Sequence, residues 1–196
     1  MGDCIFDFIV AIQDLFPNLF PKSCRHDANR PNRTPNMEIL DPATLHEYLA
    51  ADAFEEMSAF GALSQSFVAK LLADGEVLKL TANETLYRKG DTANSFFVLL
   101  KGQITVYEDT DGGKDIIRTM NAGESVGFPA MIALRPRRFS GDATTDDCIV
   151  VKVSSQVFAD LYAWDPQQFA IFFMSLSRDM SRFLSDTAGR PGKPQD

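Results

Sequence analysis

The chain has 196 residues, 45% hydrophobic and 23% charged, which is enough for one domain with a real core plus appendages. Nineteen basic against 27 acidic side chains leave a net charge of −8, which excludes an extended footprint on nucleic acid, because such binding rests on many Lys and Arg releasing counterions. Cys4, Cys24 and Cys148 show no CxxC or Cys/His spacing, which excludes a disulfide framework and a zinc site and points to a cytoplasmic protein.

The first residues are apolar, but Asp3, Asp7 and Asp14 precede the first basic residue, Lys22, so no signal peptide is expected. The uncharged runs there, such as residues 8–13, are far shorter than the roughly 20 residues of a bilayer span. Ile5, Phe8, Ile9, Ile12, Leu15, Phe16 and Leu19 share one helical face, which Pro17 should break or kink. Residues 21–36 have the Pro, Asn and Arg content of a linker. Three readings fit residues 1–36: a docking helix for a protein partner, a packing arm, or a lead that precedes a start at Met37.

From Met37 the pattern becomes regular. Asp41-Pro42 predicts a capped short helix through Leu45, Tyr48 and Leu49. A second helix should follow Ser64, with Phe67, Val68, Leu71 and Leu72 inward and Gly75 just past its end. Short strands are predicted at 77–80, 85–87, 96–100, 104–107, 116–120 and 149–153, separated by Gly- and Asp-containing turns at the spacing of a sandwich or barrel. After Asp165-Pro166, Phe169, Phe173, Leu176, Met180 and Phe183 recur at intervals of 4, 3, 4 and 3, the stripe of a long helix that needs an apolar partner. That partner is either a second copy of the chain, with these five residues as the dimer seam, or the chain's own barrel. The predicted domain spans 37–188, and 189–196 form a flexible tail.

Several residues with chemical potential have plain readings. His26 and His46 are isolated, and Asp109, Asp111, Asp146 and Asp147 occupy predicted turns, where aspartate bonds its own backbone. Cys148 begins a strand as a buried thiol. No nucleophile constellation and no metal-ligand set is present, so no enzyme is expected.

Leu86-Tyr87-Arg88-Lys89-Gly90-Asp91, the run Phe96 to Leu100, Lys101-Gly102-Gln103-Ile104 and Gly123-Glu124 follow one another in an order that resembles cyclic-nucleotide-binding domains. The resemblance covers about residues 55 to 185, and it is to Crp-like regulatory sensor domains without the helix-turn-helix. It implies a mostly β fold with flanking helices: a β-roll, or jelly roll, with a helical preface and a long C-terminal helix. It also implies cyclic AMP or cyclic GMP as ligand with no further cofactor, a homodimer through the last helix, and no DNA contact.

The phosphate-binding cassette of that family opens with Gly-Glu and places an arginine nine residues after the glutamate, usually behind a proline, with a small residue six positions later. Gly127, Pro136, Arg137 and Ala143 fall in this register without a gap, and Phe128 stands where the ribose-binding glutamate would be. The resemblance therefore assigns phosphate to Arg137 and the Ala130 amide, with Ser140 and Arg138 beside them, and Phe139 narrowing the pocket. An arginine fork and free amides suit a singly charged phosphate. Phe128 cannot accept the ribose hydroxyl, a charge-assisted bond of about 1.5 to 3 kcal/mol, or roughly ten- to a hundredfold in affinity.

Overall fold

The chain divides into two units, 1–33 and 34–196, and the computed structural model describes residues 37–50 and 52–187, all in the second. The expectations for the N-terminal segment and for the tail 189–196 lie outside the described residues. Elements follow in the order β1 (Glu38–Leu40), a 3-10 helix (Pro42–Glu47), α1 (Ala53–Glu56), α2 (Gln65–Asp74), β2 (Glu76–Leu80), β3 (Thr85–Tyr87) and β4 (Ser95–Lys101). They continue with β5 (Gln103–Thr110), β6 (Gly113–Asn121), β7 (Ser125–Val126), α3 (Phe128–Ile132), β8 (Ser140–Ala143), β9 (Cys148–Ser154), α4 (Ser155–Trp164) and α5 (Pro166–Thr187).

The strands form two antiparallel sheets, β1-β2-β9-β4-β7 and β3-β8-β5-β6. Side chains of β4 alternate between two cores: Phe96, Val98 and Leu100 face the helices, whereas Phe97 and Leu99 face the second sheet. β9 does the same, with Ile149, Val151 and Val153 on one side and Cys148 and Val150 on the other. This sheet is therefore a middle layer covered on both faces, which is why 96–100 reads as an unbroken apolar run rather than an alternating one. The architecture is the expected β-roll with a helical preface and a long C-terminal helix.

All six predicted strands form; β3 has the predicted bounds, and the other five are longer by one to four residues where hydrogen-bonded partners lie alongside. β1, β7 and β8 were not predicted: each has four residues or fewer, and their pairing partners, not their composition, make them strands. α4 was also missed, although Ser154 caps it by accepting from Val157 N at 3.1 Å and Val157, Phe158 and Leu161 supply its apolar face. The front helix after Asp41 is 3-10, with Asp41 Oδ1 accepting from Ala43 N at 2.9 Å. Ser64 caps α2 as expected, but Gly75 ends it with a negative φ. Its glycine is required by close packing, since a Cβ there would sit 2.8 Å from both Leu71 O and Val151 Cγ2.

The stripe on α5 needs correction. The inward face is Phe172, Ser175, Leu176 and Asp179, all buried, so Leu176 belongs to the chain's own core and not to a partner seam. Phe169 packs on Phe158 and Tyr162, and Phe183 packs against the core between the sheets. Phe173 is half exposed and rests on Phe128. The 4-3-4-3 spacing was real, but the helix is covered one residue off that line, by the aromatic layer of Phe60, Phe67 and Phe96.

Candidate functional site: a buried arginine at the cassette

The cassette begins where β7 leaves the middle sheet. Gly127 adopts φ +80° and ψ 0°, a left-handed turn that favours glycine, and caps the five-residue helix α3. The chain returns through Arg135 and Pro136, both exposed, and then drives Arg137 inward to 4% exposure. Its backbone is pinned on both sides, Arg137 N to Asp91 O at 2.9 Å and Gly90 N to Arg137 O at 2.8 Å, so the Lys89-Gly90-Asp91 turn holds the arginine in place.

The guanidinium lies against two rings, 4.7 Å from the Tyr87 centroid and 5.8 Å from that of Phe97, which themselves stack at 6.1 Å. Nη1 donates to Gly127 O at 2.7 Å and Nη2 to Ser95 O at 2.5 Å. Nε is buried and has no acceptor. Among the described residues no carboxylate forms an ion pair with Arg137. Burial holds the guanidinium below its ordinary pKa, and the neighbouring Tyr87 and Asp91 pull it back only in part. Tyr87 is pushed up to about 12 by burial, against the opposing charge of Arg137, and stays a neutral phenol. Arg137 is thus a buried cation with one idle donor and no ion-paired carboxylate among the described residues.

Phe128 does not share this environment. It is 1% exposed and packs edge-on against Phe96 at 5.1 Å, Phe158 at 5.9 Å and Phe173 at 6.0 Å. Phe96 and Phe158 belong to the core beneath the helices and Phe173 lies at its edge, whereas Tyr87 and Phe97 belong to the core between the sheets. The ring thus neither fills the space beside Arg137 nor turns to solvent.

The remaining sequence-predicted residues divide. Gly127 and Arg137 are brought into direct contact. Ala130 lies in the short helix, half-buried, and Pro136 is an exposed lead-in. Arg138 is exposed with its guanidinium 5.3 Å from the ring of Phe139, and neither it nor Arg135 pairs with Asp142, Asp146 or Asp147. Asp142 pairs instead with Lys114 and Asp147 with Lys79, while Asp146 accepts from Ala82 N. Ser140 Oγ accepts from Lys89 N at 3.1 Å and so is engaged by the turn that also holds Arg137. Cys148 is buried, its thiol pushed up to about 12, and His46 is an exposed side chain bonded to Ala43 O.

Sequence reasoning missed Tyr87, Phe97 and Ser95. The two aromatics stood in predicted strands, and strand alternation could have placed both in the barrel. Ser95 could not be found from its side chain, because its contribution is a backbone carbonyl.

Fold and site define a two-sheet β-roll with a cassette whose arginine is buried at its mouth. Residues 77–165 match the model of the cyclic nucleotide-binding domain family. Relatives include the cAMP-activated global transcriptional regulator CRP of Haemophilus influenzae, 25% identical over 111 residues, covering 56% of this chain and 48% of that protein. The potassium channel AKT1 of Oryza sativa subsp. indica is 20% identical over 130 residues, covering 63% of this chain and 14% of the channel. The chain thus spans about half the length of the bacterial regulator and a small part of the channel. Among solved structures, a cyclic nucleotide-binding domain from Methylobacillus flagellatus superposes with a TM-score of 0.66 at 21% identity, covering 81% of this chain and 92% of that one. The catabolite activator protein of Thermus thermophilus gives 0.56 at 15% identity, covering 67% and 60%. These structural likenesses carry the fold.

Proposed function

We propose that the chain is a non-enzymatic, cytoplasmic regulatory sensor in which Arg137 receives the phosphate of a cyclic nucleotide, cyclic AMP or cyclic GMP, with modest affinity. The observation that supports this reading is the buried guanidinium, unpaired with any carboxylate among the described residues and with Nε idle. A cyclic phosphate supplies one negative charge and acceptors in the geometry that an arginine fork fits. Gly127 gives the backbone its close approach, and the Ala130 amide lies on the same turn. Modest affinity follows from Phe128, which offers no acceptor to a ribose hydroxyl and is committed to the helical core. Bacterial relatives are named as cAMP-activated, which agrees with this choice of ligand. Signal passes to α5, and a second copy of the chain docks on its outer side, where Phe173 and Met174 are exposed.

Titration calorimetry with cyclic AMP and cyclic GMP up to millimolar concentration tests the reading, with thermal shift as a second readout. Binding that disappears in Arg137→Lys, which keeps the charge but loses the planar fork, is the expected result. Absence of both heat and thermal shift in the wild type sinks it.

A second reading rests on a separate observation. Both η nitrogens of Arg137 already donate to carbonyls of the chain itself, and Ile132 and Leu134 at the end of the cassette are exposed. On this reading the cassette is closed by its own backbone, and the domain binds a protein partner without a nucleotide. The same calorimetry separates the two.

A further inference from the structure

The C-terminal helix buries one carboxylate. Asp179, 2% exposed, points from the inward face of α5 between Leu176 and the strand that leads into the cassette. Its Oδ2 accepts from Ser125 N at 3.1 Å. Its Oδ1 lies 3.2 Å from Ser58 Oγ and 3.4 Å from Nη1 of the exposed Arg182. Ser58 has a single proton, and the carbonyl of Gly123 is nearer to it, at 2.7 Å. Burial raises the pKa of Asp179, opposed by the Ser125 amide and the Ser58 hydroxyl. A carboxylate is a costly filling for a site whose neighbours on the helix are Phe172 and Leu176. What it adds over an apolar side chain is a fixed position, because the Ser125 amide meets this acceptor only when α5 sits in this register.

Ser125 is two residues from Gly127, the residue whose carbonyl Arg137 holds. The path runs from the guanidinium to Gly127 O, along one short strand to Ser125 N, and on to Asp179 on the helix. Arg137 and Asp179 share no hydrogen bond, and this backbone links them alongside the packing of Phe128 on Phe173. We propose that Asp179 is the positioning residue that couples the cassette arginine to the C-terminal helix: release of Gly127 from Arg137 moves the 125–127 segment and loosens α5 through the Ser125–Asp179 bond. The biological use of this coupling rests on the reading of Arg137 as the anion contact, since a bound phosphate competes with the two carbonyls for the same protons. The coupling itself is a property of the chain and needs no nucleotide to be tested.

The test is amide hydrogen exchange on the full chain without ligand, in wild type, Arg137→Lys, Asp179→Leu, Asp179→Asn and the two double variants. Arg137→Lys is expected to accelerate exchange of α5 amides by about tenfold or more, and by less than about twofold when combined with Asp179→Leu. Asp179→Asn keeps an acceptor for the Ser125 amide and should preserve most of the response. Equal acceleration by Arg137→Lys with and without Asp179→Leu overturns the proposal. Should Asp179→Leu fail to fold, Arg137→Lys alone still decides: the Ser125 amide and the α5 amides must accelerate together, and exposure of Ser125 with α5 unchanged is a refutation. Calorimetry with cyclic AMP on the same samples reports separately. Coupling without binding removes the anion reading alone, and binding without coupling removes this inference alone.

Discussion

Two neighbouring residues of the cassette enter two different cores. Gly127 presents its carbonyl to Arg137, which lies on Tyr87 and Phe97 in the core between the sheets. Phe128, next in the chain, enters the aromatic layer beneath the helices with Phe96, Phe158 and Phe173. The first environment retains charge and idle hydrogen-bonding capacity, and the second is entirely apolar. The comparison teaches that the missing glutamate is not a hole in the binding site. The side chain at that position holds the cassette against the helices, through Phe158 of α4 and Phe173 of α5.

The largest expected effect breaks that division. Placing a carboxylate at position 128 puts a charge among three aromatic rings, where the effective desolvation penalty is several kcal/mol. Phe128→Glu is therefore expected to lose more stability in urea unfolding at neutral pH than Phe128→Ala, which should itself cost about 3 to 5 kcal/mol by removing a fully buried ring. The simple expectation that glutamate at this position restores ribose binding thus meets a folding cost first. If Phe128→Glu unfolds at the wild-type midpoint, the side chain has left the aromatic layer, and the separation of the two environments fails.

A smaller effect sharpens the arginine side. Gly127 has φ +80°, and a Cβ built there would lie 2.2 Å from Arg137 Nη1. Gly127→Ala should cost about 1 to 3 kcal/mol through the left-handed backbone and the displaced guanidinium. Because the strain falls on Arg137 and not on Phe128, nucleotide affinity should fall more steeply than stability. Calorimetry beside urea unfolding makes the comparison, and a loss confined to stability would mean that Arg137 is a structural clamp only.

What the sequence disclosed follows the same division. The register of Gly127, Pro136, Arg137 and Ala143 located the buried arginine, because glycine at a left-handed turn and an arginine at fixed spacing are set by local geometry. The central strands β4 and β9 of the middle sheet were legible because burial on both faces leaves continuous apolar runs. The direction of Phe128 was not legible: it depends on where α4 and α5 stand, and α4 was itself unseen. The stripe on α5 misled for a related reason. Phe169, Phe173, Leu176, Met180 and Phe183 have a seam's spacing, yet which side of a helix is covered is decided by distant partners such as Phe60 and Phe67. Asp179, a lone aspartate in a helical stretch, carried no signal until Ser125 and Ser58 were placed beside it.

The smallest expected effect lies at the hinge between the two environments. Helix α3 ends in a Schellman arrangement, with Leu134 N donating to Met131 O and Arg135 N to Ala130 O, both at 3.1 Å. Leu134 occupies the left-handed position, φ +52°, where glycine is the usual residue, and its side chain is 52% exposed. The left-handed conformation costs an L residue about 1 to 2 kcal/mol, and glycine gives back about 0.5 to 1 in the unfolded chain. Leu134→Gly should therefore raise stability by about 0.5 to 1 kcal/mol, read as a higher urea midpoint at an unchanged slope. Little packing is lost, because the side chain contributes little to either core. An unchanged midpoint would mean that Leu134 makes a compensating contact. A raised midpoint with weakened nucleotide binding would mean that strain in this turn helps to aim Arg137, three residues on, and that the two environments are balanced against each other through the cassette's own backbone.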